Sequence, residues 1–288
     1  MKIVVTGATG QLGSDVVREL NCRGHEVFGF GSKDMDITDL HSVTETLETV
    51  LPDAVIHCAA WTAVDAAEDE ENREKVFAVN ARGTENIAEV CRMLDCKMLY
   101  ISTDYVFSGT GDRPWVPDCM DFAPQNVYGR SKLEGEKAVR ERLNKYFIVR
   151  IAWVFGINGK NFVKTMLAVG QKYDSVRVVN DQIGTPTYTP DLAELLADMV
   201  ESEKYGTYHA TNEGGFISWY DFTCEIYRQA GLNTEVLPVT TAEYGLSKAV
   251  RPCNSRLDKS KLKENGFSLL PDWKNALSRF LSEYLKTE

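Results

Sequence analysis

The sequence predicts an α/β fold with a doubly wound parallel sheet and a smaller C-terminal lobe. Two observations lead to this prediction. As far as about Gly156, short runs rich in β-branched residues alternate with longer segments of helical pattern, as in sheets whose parallel strands are joined by helices. Beyond Gly156 the alternation weakens and turn-rich segments become common. We therefore expect a first domain at 1–155 and a second lobe at 156–288, from which some segments return to the sheet.

The strands of the first region are short apolar runs that end near small or polar residues. They are predicted at 2–6, 26–30, 53–57, 97–102 and 147–152. Segments of helical pattern lie between them at 12–23, 40–50 and 74–94, with another after Pro124. Asp39 and Thr38 are candidates to cap the second of these helices, and Pro124 suits the start of the last. In the second region, helices are predicted at 161–172, 191–203, 218–230 and 273–286, and strands at 176–179 and 207–210.

Composition and charge exclude several classes of protein. The 288 residues are 43% hydrophobic and 26% charged, which is ordinary for a globular protein. The formal net charge of -10 argues against nucleic-acid binding, which requires a basic surface. No apolar run approaches the ~20 residues of a membrane span, so we expect neither a membrane segment nor a signal peptide. The seven cysteines, among them Cys91 and Cys96, lack metal-ligand spacing, so we predict reduced thiols, a cytoplasmic protein and no bound metal.

A glycine-rich turn follows the first predicted strand directly. Gly7, Gly10 and Gly13 occur in the stretch GATGQLG, after which the first helical segment begins. A strand, a glycine turn and a helix in this order open the βαβ unit that binds dinucleotides, with the pyrophosphate at the positive end of the helix. An ordinary glycine turn is the alternative, but the position directly after the first strand favours the cofactor interpretation.

The second predicted strand ends without the acid that selects NAD by binding its ribose 2′-hydroxyl. This strand is followed by Gly-Ser-Lys, and the first acid is Asp34. Ser32 and Lys33 suit a 2′-phosphate, so the sequence favours NADPH. The alternative is a solvated loop lysine at position 33, in which case NADH remains open.

Tyr128 and Lys132 are four residues apart in a predicted helix, so both side chains lie on one helix face. A phenol titrates near ~10, and a nearby ammonium favours the phenolate and lowers this pKa. The pair is therefore a candidate acid/base device, with Tyr128 handling the proton and Lys132 tuning it. The same spacing occurs on many surface helices that have no catalytic role. Thr103, after the strand at 97–102, carries a hydroxyl that we expect to face the same cleft.

Seven stretches, in the same order along the chain, resemble the dTDP-4-dehydrorhamnose reductases, a branch of the extended short-chain dehydrogenase/reductase superfamily. They are GQLG at 10–13, AAWTAVD at 59–65, STDYVF at 102–107, YGxxK at 128–132, RIAWVFG at 150–156, DQxGxPT at 181–187 and RPxxS at 251–255. The resemblance covers most of the chain. It implies a Rossmann domain at 1–155 that binds NAD(P)H and a lobe at 156–288 that mainly binds substrate.

The resemblance also implies a reaction, the reduction of the 4-keto group of a dTDP-4-keto-6-deoxy sugar for cell-surface polysaccharide synthesis. Tyr128 would donate a proton to the 4-keto oxygen while the nicotinamide delivers hydride to carbon 4. Lys132 would hold the nicotinamide ribose and lower the pKa of Tyr128. Thr103 would donate a hydrogen bond to the carbonyl oxygen and stabilise its developing charge.

We assign the other contacts in two groups. Cofactor contacts are expected at the glycine turn and at the strand ends that follow it, namely Gly7, Thr9, Gly10, Gln11, Leu12, Gly13, Ser32, Lys33, Asp36, Ile37, Ala59, Ala60, Trp61, Asn80, Tyr128 and Lys132. Substrate contacts are expected from Thr62, Val64, Asp104, Tyr105, Trp153, Asn161, Gln182 and Arg251. Arg251 is assigned to the substrate diphosphate, because a guanidinium donates two parallel hydrogen bonds to phosphate.

Three alternatives remain. Nucleotide-sugar dehydratases resemble the chain at Thr103 and Asp104 but have a glutamate next, where this chain has Tyr105, so dehydration is disfavoured. Epimerases share the Thr, Tyr and Lys set. A non-catalytic regulatory subunit, similar to the β subunit of methionine adenosyltransferase, could retain the same cofactor site. Members of the family also differ in whether Mg²⁺ supports a dimer. This sequence shows no clear cluster of metal ligands, so we predict no metal site, and a homodimer remains open.

Overall fold

The computed structural model describes residues 1–286. Its strands, in chain order, are β1 (Lys2–Thr6), β2 (Glu26–Phe30), β3 (Ala54–His57), β4 (Lys97–Thr103), β5 (Tyr146–Ile151), β6 (Val154–Phe155), β7 (Ser175–Val179), β8 (Ile183–Gly184), β9 (Thr187–Tyr188), β10 (Gly206–His209), β11 (Asn212–Glu213), β12 (Ile217–Ser218), β13 (Glu235–Val239) and β14 (Leu270–Asp272). Its α-helices are α1 (Gln11–Cys22), α2 (Leu40–Val50), α3 (Glu70–Phe77), α4 (Gly83–Leu94), α5 (Val127–Arg142), α6 (Phe162–Lys172), α7 (Thr189–Glu201), α8 (Trp219–Ala230), α9 (Thr241–Tyr244), α10 (Ser260–Glu264) and α11 (Trp273–Tyr284).

The predicted parallel sheet is confirmed, with six strands in the order β10, β5, β4, β3, β1, β2. The chain leaves β1 for β2 on one side and resumes at β3 on the other, so the strand order reverses between β1 and β3. In open α/β sheets, ligands bind outside the carboxyl ends of the strands at such a reversal. The topology therefore places a binding site at the ends of β1, β3 and the neighbouring β4.

Local sequence explains where several helices begin. The Asp39 carboxylate accepts a hydrogen bond from the amide of His41, which confirms Asp39 as the N-cap of α2. The predicted start at Pro124 is wrong, because α5 begins after Asn126, whose side chain accepts a 2.7 Å hydrogen bond from an amide of the first turn. Proline has no side-chain acceptor for such an amide. A π-helical turn at Ala78–Arg82 joins α3 to α4, where the sequence predicts one continuous helix.

Hydrophobic residues cover both faces of the sheet. Helices α1 and α7 pack on one face through side chains such as Val16 and Leu196. The opposite face is covered by α2, α4 and α5, with Val43 and Ile87 in the core. A separate aromatic core lies among α6, α8 and α11. Strand β10 and helix α7 come from the second region of the chain and pack with the sheet, while a domain boundary at residue 155 stays a prediction.

Two features are absent from residues 1–286. No helix in this part of the chain is both long and apolar enough to cross a bilayer. Nor do three or more His, Cys, Asp or Glu side chains converge there in a way that could hold a metal ion. All seven cysteines are free thiols.

Candidate active site

Two adjoining cavities occupy the carboxyl edge of the sheet. The larger, of about 520 Å³, brings together these residues assigned from sequence: Gly7, Gly10, Gln11, Leu12, Gly13, Ala60, Thr62, Val64, Thr103, Asp104, Tyr105, Tyr128, Lys132 and Trp153. The smaller, of about 290 Å³, brings together Gly7, Thr9, Gly10, Ser32, Asp36, Ile37, Ala59 and Ala60. Gly7, Gly10, Cys58 and Ala60 line both cavities, so the two form one elongated cleft.

The glycine turn at the middle of this cleft packs tightly against its own backbone and against the loop after β3, where side chains would not fit. Gly7 has a φ of 65°, and a Cβ atom there would lie 2.8 Å from the amide nitrogen of Ala59. A Cβ atom at Gly13 would lie 2.2 Å from the carbonyl oxygen of Gly7. Helix α1 follows with no side-chain cap, so the amides of its first turn are free to donate to an anion. The turn therefore fits the pyrophosphate of a dinucleotide.

The smaller cavity extends from this turn past the end of β2. Ser32 lines it, whereas Lys33 is exposed and lies outside its walls. The Asp34 carboxylate accepts a 2.8 Å hydrogen bond from the amide of Gly31, and this acid does not line the cavity. Of the two residues predicted to receive a 2′-phosphate, the structure brings only Ser32 to the cleft.

Asn80 and Trp61 lie behind the cleft. The side-chain oxygen of the buried Asn80 accepts a 2.8 Å hydrogen bond from the backbone amide of Trp61. Its side-chain nitrogen donates to the backbone carbonyl of Trp61 at 3.1 Å. It also donates to Ser131 on α5 at 2.9 Å. Neither Asn80 nor Trp61 lines either cavity, and their hydrogen bonds hold the loop after β3. Their assignment to the cofactor stays a prediction.

Thr103, Tyr128 and Lys132 meet in the larger cavity, as the sequence predicts for residues at a strand end and on one helix face. Thr103 ends β4, and its hydroxyl donates to Asp104 at 3.0 Å. Tyr128 and Lys132 are one turn apart on α5. The ring of Tyr105 meets that of Tyr128 edge to face, with centroids 5.6 Å apart.

The expected lowering of the Tyr128 pKa by Lys132 is wrong for this structure. Burial raises the pKa of the Tyr128 phenol well above its usual range, and the negative charge of Asp104 raises it further. A hydrogen bond with Thr103 lowers this pKa in part. The phenol is therefore protonated at neutral pH, which is the form that a proton donor requires.

Lys132 is a buried ammonium. Burial lowers its pKa to about 7, although the carboxylate of Glu136 acts in the opposite direction. Its Nζ atom lies 4.1 Å from the centre of the Tyr100 ring, a favourable cation–π contact. A lysine with a pKa near neutrality can take up a proton when a ligand hydroxyl or a phenolate lies beside it.

Replacing Lys132 with methionine is expected to stabilise the unliganded protein at pH 6, because the desolvation cost of a buried ammonium is removed. The lysine is protonated in both states below the folded pKa of about 7, so its full desolvation cost is present there. Between pH 7 and the unfolded value of 10.5, the unfolded chain binds a proton that the folded protein lacks, so stability rises with pH. The advantage of Lys132→Met should therefore shrink as pH rises.

Urea unfolding at pH 6 and pH 9 measures this effect. The exposed Lys137→Met on the same helix is the matched control and should show no such pH dependence. A Lys132→Met protein that is less stable than the parent at pH 6 contradicts the prediction.

A buried ion pair joins α5, the helix that carries Tyr128 and Lys132, to the sheet. Glu136 and Arg150 are both fully buried, and the carboxylate accepts from Nε and Nη2 of Arg150 at 2.8 Å each. Ser102 donates to the same carboxylate at 2.6 Å, and Arg140 pairs with it at 2.9 Å. The network ties α5 to β4 and β5, one helical turn from Lys132.

Three of the predicted substrate residues do not line the larger cavity. Asn161 caps α6 and donates to the side chain of Gln11 at 2.9 Å. The buried Gln182 donates to Thr241 at 3.0 Å. Arg251 forms a 2.6 Å ion pair with Asp65. These side chains hold segments around the cleft together, and their assignment to substrate stays a prediction.

The cavity also contains residues that sequence reasoning missed. The Trp219 ring stacks on Trp153, with centroids 3.7 Å apart and planes at 16°. Trp153 has a φ of 52°, an unusual conformation for a non-glycine residue and one that recurs at ligand sites. Lys160 lines the cavity beside Gly159. No sequence pattern around Trp219 indicates a ligand site. Lys160 follows shortly after the RIAWVFG stretch, and this position indicates a candidate ligand contact.

The parallel sheet, the glycine turn after β1 and the grouping of Thr103, Tyr128 and Lys132 define a class, the extended short-chain dehydrogenases/reductases. A family model described as "RmlD substrate binding domain" matches residues 1–286. The chain belongs to the dTDP-4-dehydrorhamnose reductase family of this superfamily, which confirms the resemblance seen in the sequence.

Individual relatives cover nearly the whole chain. The spore coat polysaccharide biosynthesis protein SpsK of Bacillus subtilis is 40% identical, over 98% of this chain and 97% of its own. A dTDP-4-dehydrorhamnose reductase of Streptomyces griseus is 41% identical, over 96% of this chain and 91% of its own. The crystal structure of a dTDP-4-dehydrorhamnose reductase from Bacillus anthracis, in complex with NADP, has a TM-score of 0.93 and 41% identity, over 98% of this chain and 99% of that one.

Proposed function

We propose that this chain is an NADPH-dependent dTDP-4-dehydrorhamnose reductase, which reduces the 4-keto group of the sugar to give dTDP-rhamnose. The observation that carries the proposal is the grouping of Thr103, Tyr128 and Lys132 in a cavity continuous with the glycine turn. Relatives of this name, similar over nearly their full length, support the choice of reaction.

The chemistry follows from the protonation states of the side chains. Bound NADPH supplies the hydride. Tyr128, protonated because of its burial, donates its proton to the oxygen on carbon 4. Lys132 lines the same cavity and would hold the ribose of the nicotinamide half of the cofactor. Thr103 releases its hydrogen bond to Asp104 and donates instead to the carbonyl oxygen, where negative charge develops.

The alternatives lack a supporting observation of this kind. Dehydration needs a further acid/base group beside Asp104, and burial raises the pKa of Tyr105 well above its usual range, so this phenol is a poor base. The epimerase and regulatory-subunit interpretations gain no support from the Streptomyces griseus and Bacillus anthracis relatives, both of which are named as reductases.

Incubation with dTDP-4-keto-6-deoxy-L-mannose and NADPH tests the function. We expect loss of NADPH absorbance and a product identified as dTDP-rhamnose by its NMR spectrum and mass. NADPH should give a higher kcat/KM than NADH, in keeping with Ser32 at the cleft and with the NADP complex of the Bacillus anthracis relative. Tight NADPH binding without oxidation in the presence of the sugar contradicts the proposal and favours a regulatory role.

The substrate diphosphate is expected to contact Lys160. Among the described residues, Lys132 and Lys160 are the cations that line the larger cavity, and Lys132 is assigned to the ribose of the cofactor. A hydrogen bond to a charged group contributes about 1.5–3 kcal/mol, so Lys160→Ala should raise KM for the sugar nucleotide about 10- to 100-fold. The value of kcat should change less, because the diphosphate stays bound during hydride transfer.

Arg251→Ala tests the sequence-based assignment in the same assay. A comparable rise in KM assigns both cations to the diphosphate. An unchanged KM together with lower stability assigns Arg251 to its ion pair with Asp65 alone. The NADPH dissociation constant is the control and should not move in either variant, because its phosphates belong at Gly7 to Gly13.

We also propose a cytoplasmic location, in keeping with seven free thiols. A net charge of -10 gives no support for a nucleic-acid partner. A homodimer stays a prediction, which the mass of the protein in solution decides.

A further inference from the structure

The end of helix α4 brings two cysteines together. Asp95 has a φ of 53°, the left-handed conformation that ends many helices. The backbone amide of Cys96 donates to the carbonyl oxygen of Cys91 at 3.0 Å. The backbone amide of Asp95 donates to the carbonyl oxygen of Arg92 at 3.4 Å. These two hydrogen bonds define a Schellman motif, in which the side chains at the positions of Cys91 and Cys96 touch each other. Helices that end in this motif frequently have apolar residues at these two positions, whereas this chain has two cysteines.

Both thiols are buried, and of the two only Cys96 lines a surface cavity. Cys91 is fully buried in the core beneath the sheet, whereas Cys96 is 4% exposed. Cys96 lines a surface cavity of about 360 Å³, whose walls include Lys97 and Lys145. Because β4 begins at Lys97 and ends at Thr103, this cavity lies at the edge of the sheet opposite the active site.

We propose that Cys91 and Cys96 form a redox-active dithiol, in which a peroxide oxidises Cys96 and Cys91 then closes an intramolecular disulfide. The Cys96 thiolate attacks the O–O bond of hydrogen peroxide, which yields a sulfenic acid and one water after proton uptake. The Cys91 sulfur then displaces the hydroxyl as a second water and forms the S–S bond. Two thiols and one peroxide thus give one disulfide and two waters, and an external dithiol reverses the reaction.

Local geometry and chemistry support both steps. A disulfide requires Cα atoms about 4.4–6.8 Å apart, and the main-chain hydrogen bond between residues 91 and 96 holds their backbones close without rearrangement. The hydrogen bond from Cys91 lowers the pKa of Cys96, while burial and then the charges of Asp95 and Asp53 oppose this effect. Cys96 lines the surface cavity and is therefore the sulfur that meets the peroxide, and the fully buried Cys91 is the resolving thiol.

Peptide mapping tests the proposal directly, because trypsin cuts between the two cysteines at Arg92. The native protein is treated with substoichiometric hydrogen peroxide, blocked with N-ethylmaleimide and digested without reductant. We expect peptides 83–92 and 93–97 to appear as one disulfide-linked species that dithiothreitol separates. This linked species should form before the exposed Cys22 loses its free thiol.

Two variants identify the role of each sulfur. In Cys91→Ser, Cys96 should accumulate as a sulfenic acid that dimedone captures, whereas the parent should give little adduct. Cys22→Ser is the matched control and should leave the linked peptides unchanged. Dimedone capture of Cys96 that is equal with and without Cys91 overturns the proposal, as does oxidation of Cys22 and Cys253 before any linked peptide forms.

Discussion

Replacing Tyr128 with phenylalanine is expected to lower turnover of the sugar nucleotide by about 10²- to 10⁴-fold, the usual contribution of a general acid. The change removes the hydroxyl that we assign as proton donor and keeps the ring, which packs edge to face on Tyr105. NADPH affinity and thermal stability should therefore change little. Steady-state kinetics and isothermal titration with NADPH measure the two effects separately.

Tyr208→Phe is the matched control for this experiment. Tyr208 is also buried, but its hydroxyl donates to the carbonyl of Lys204 at 2.6 Å, far from the cleft. Loss of the Tyr208 hydroxyl should leave turnover within a few-fold of the parent value. If Tyr128→Phe also retains near-normal turnover, the proton must come from another group.

Arg150→Met is expected to destabilise the protein by about 3–5 kcal/mol, the range for breaking a buried ion pair by removing one partner. The fully buried Glu136 would lose two of its hydrogen bonds and keep those from Ser102 and Arg140. Its pKa, now held below the usual range chiefly by Arg150 against the effect of burial, should rise. Urea unfolding monitored by circular dichroism measures the loss.

The double variant Arg150→Met/Glu136→Gln removes both charges and keeps an acceptor for Ser102. It should recover most of the lost stability, because no unpaired carboxylate remains in the interior. A double variant that is less stable than Arg150→Met means that packing, rather than charge, accounts for the effect.

The parts of the site that sequence reasoning found are those that local pattern and sheet topology determine. Gly7, Gly10 and Gly13 are recognisable because a close backbone approach excludes a Cβ atom. Thr103 and Tyr128 meet because parallel strands all end at one edge and the following helices begin there. The cap at Asp39 follows from a hydrogen bond within one turn.

The parts that it missed depend on contacts between distant segments. Asn161 and Arg251, assigned to the substrate from the sequence, each meet a polar partner that only the folded chain brings near, and their assignment stays a prediction. The pKa of Tyr128 is raised by burial and by the charge of Asp104, neither of which the helix spacing reveals. Trp219 reaches the cavity through the packing of α8, and no local pattern predicts that encounter.

The sharing of Gly7, Gly10, Cys58 and Ala60 between the two cavities has a consequence for the order in which reactants associate. A dinucleotide held at the shared glycine turn would extend into the larger cavity, which a sugar nucleotide would also enter from the side of Trp153 and Trp219. A sugar nucleotide that arrived first would block the path of the dinucleotide. The kinetics are therefore expected to be sequential and ordered, with NADPH first to enter and NADP⁺ last to leave.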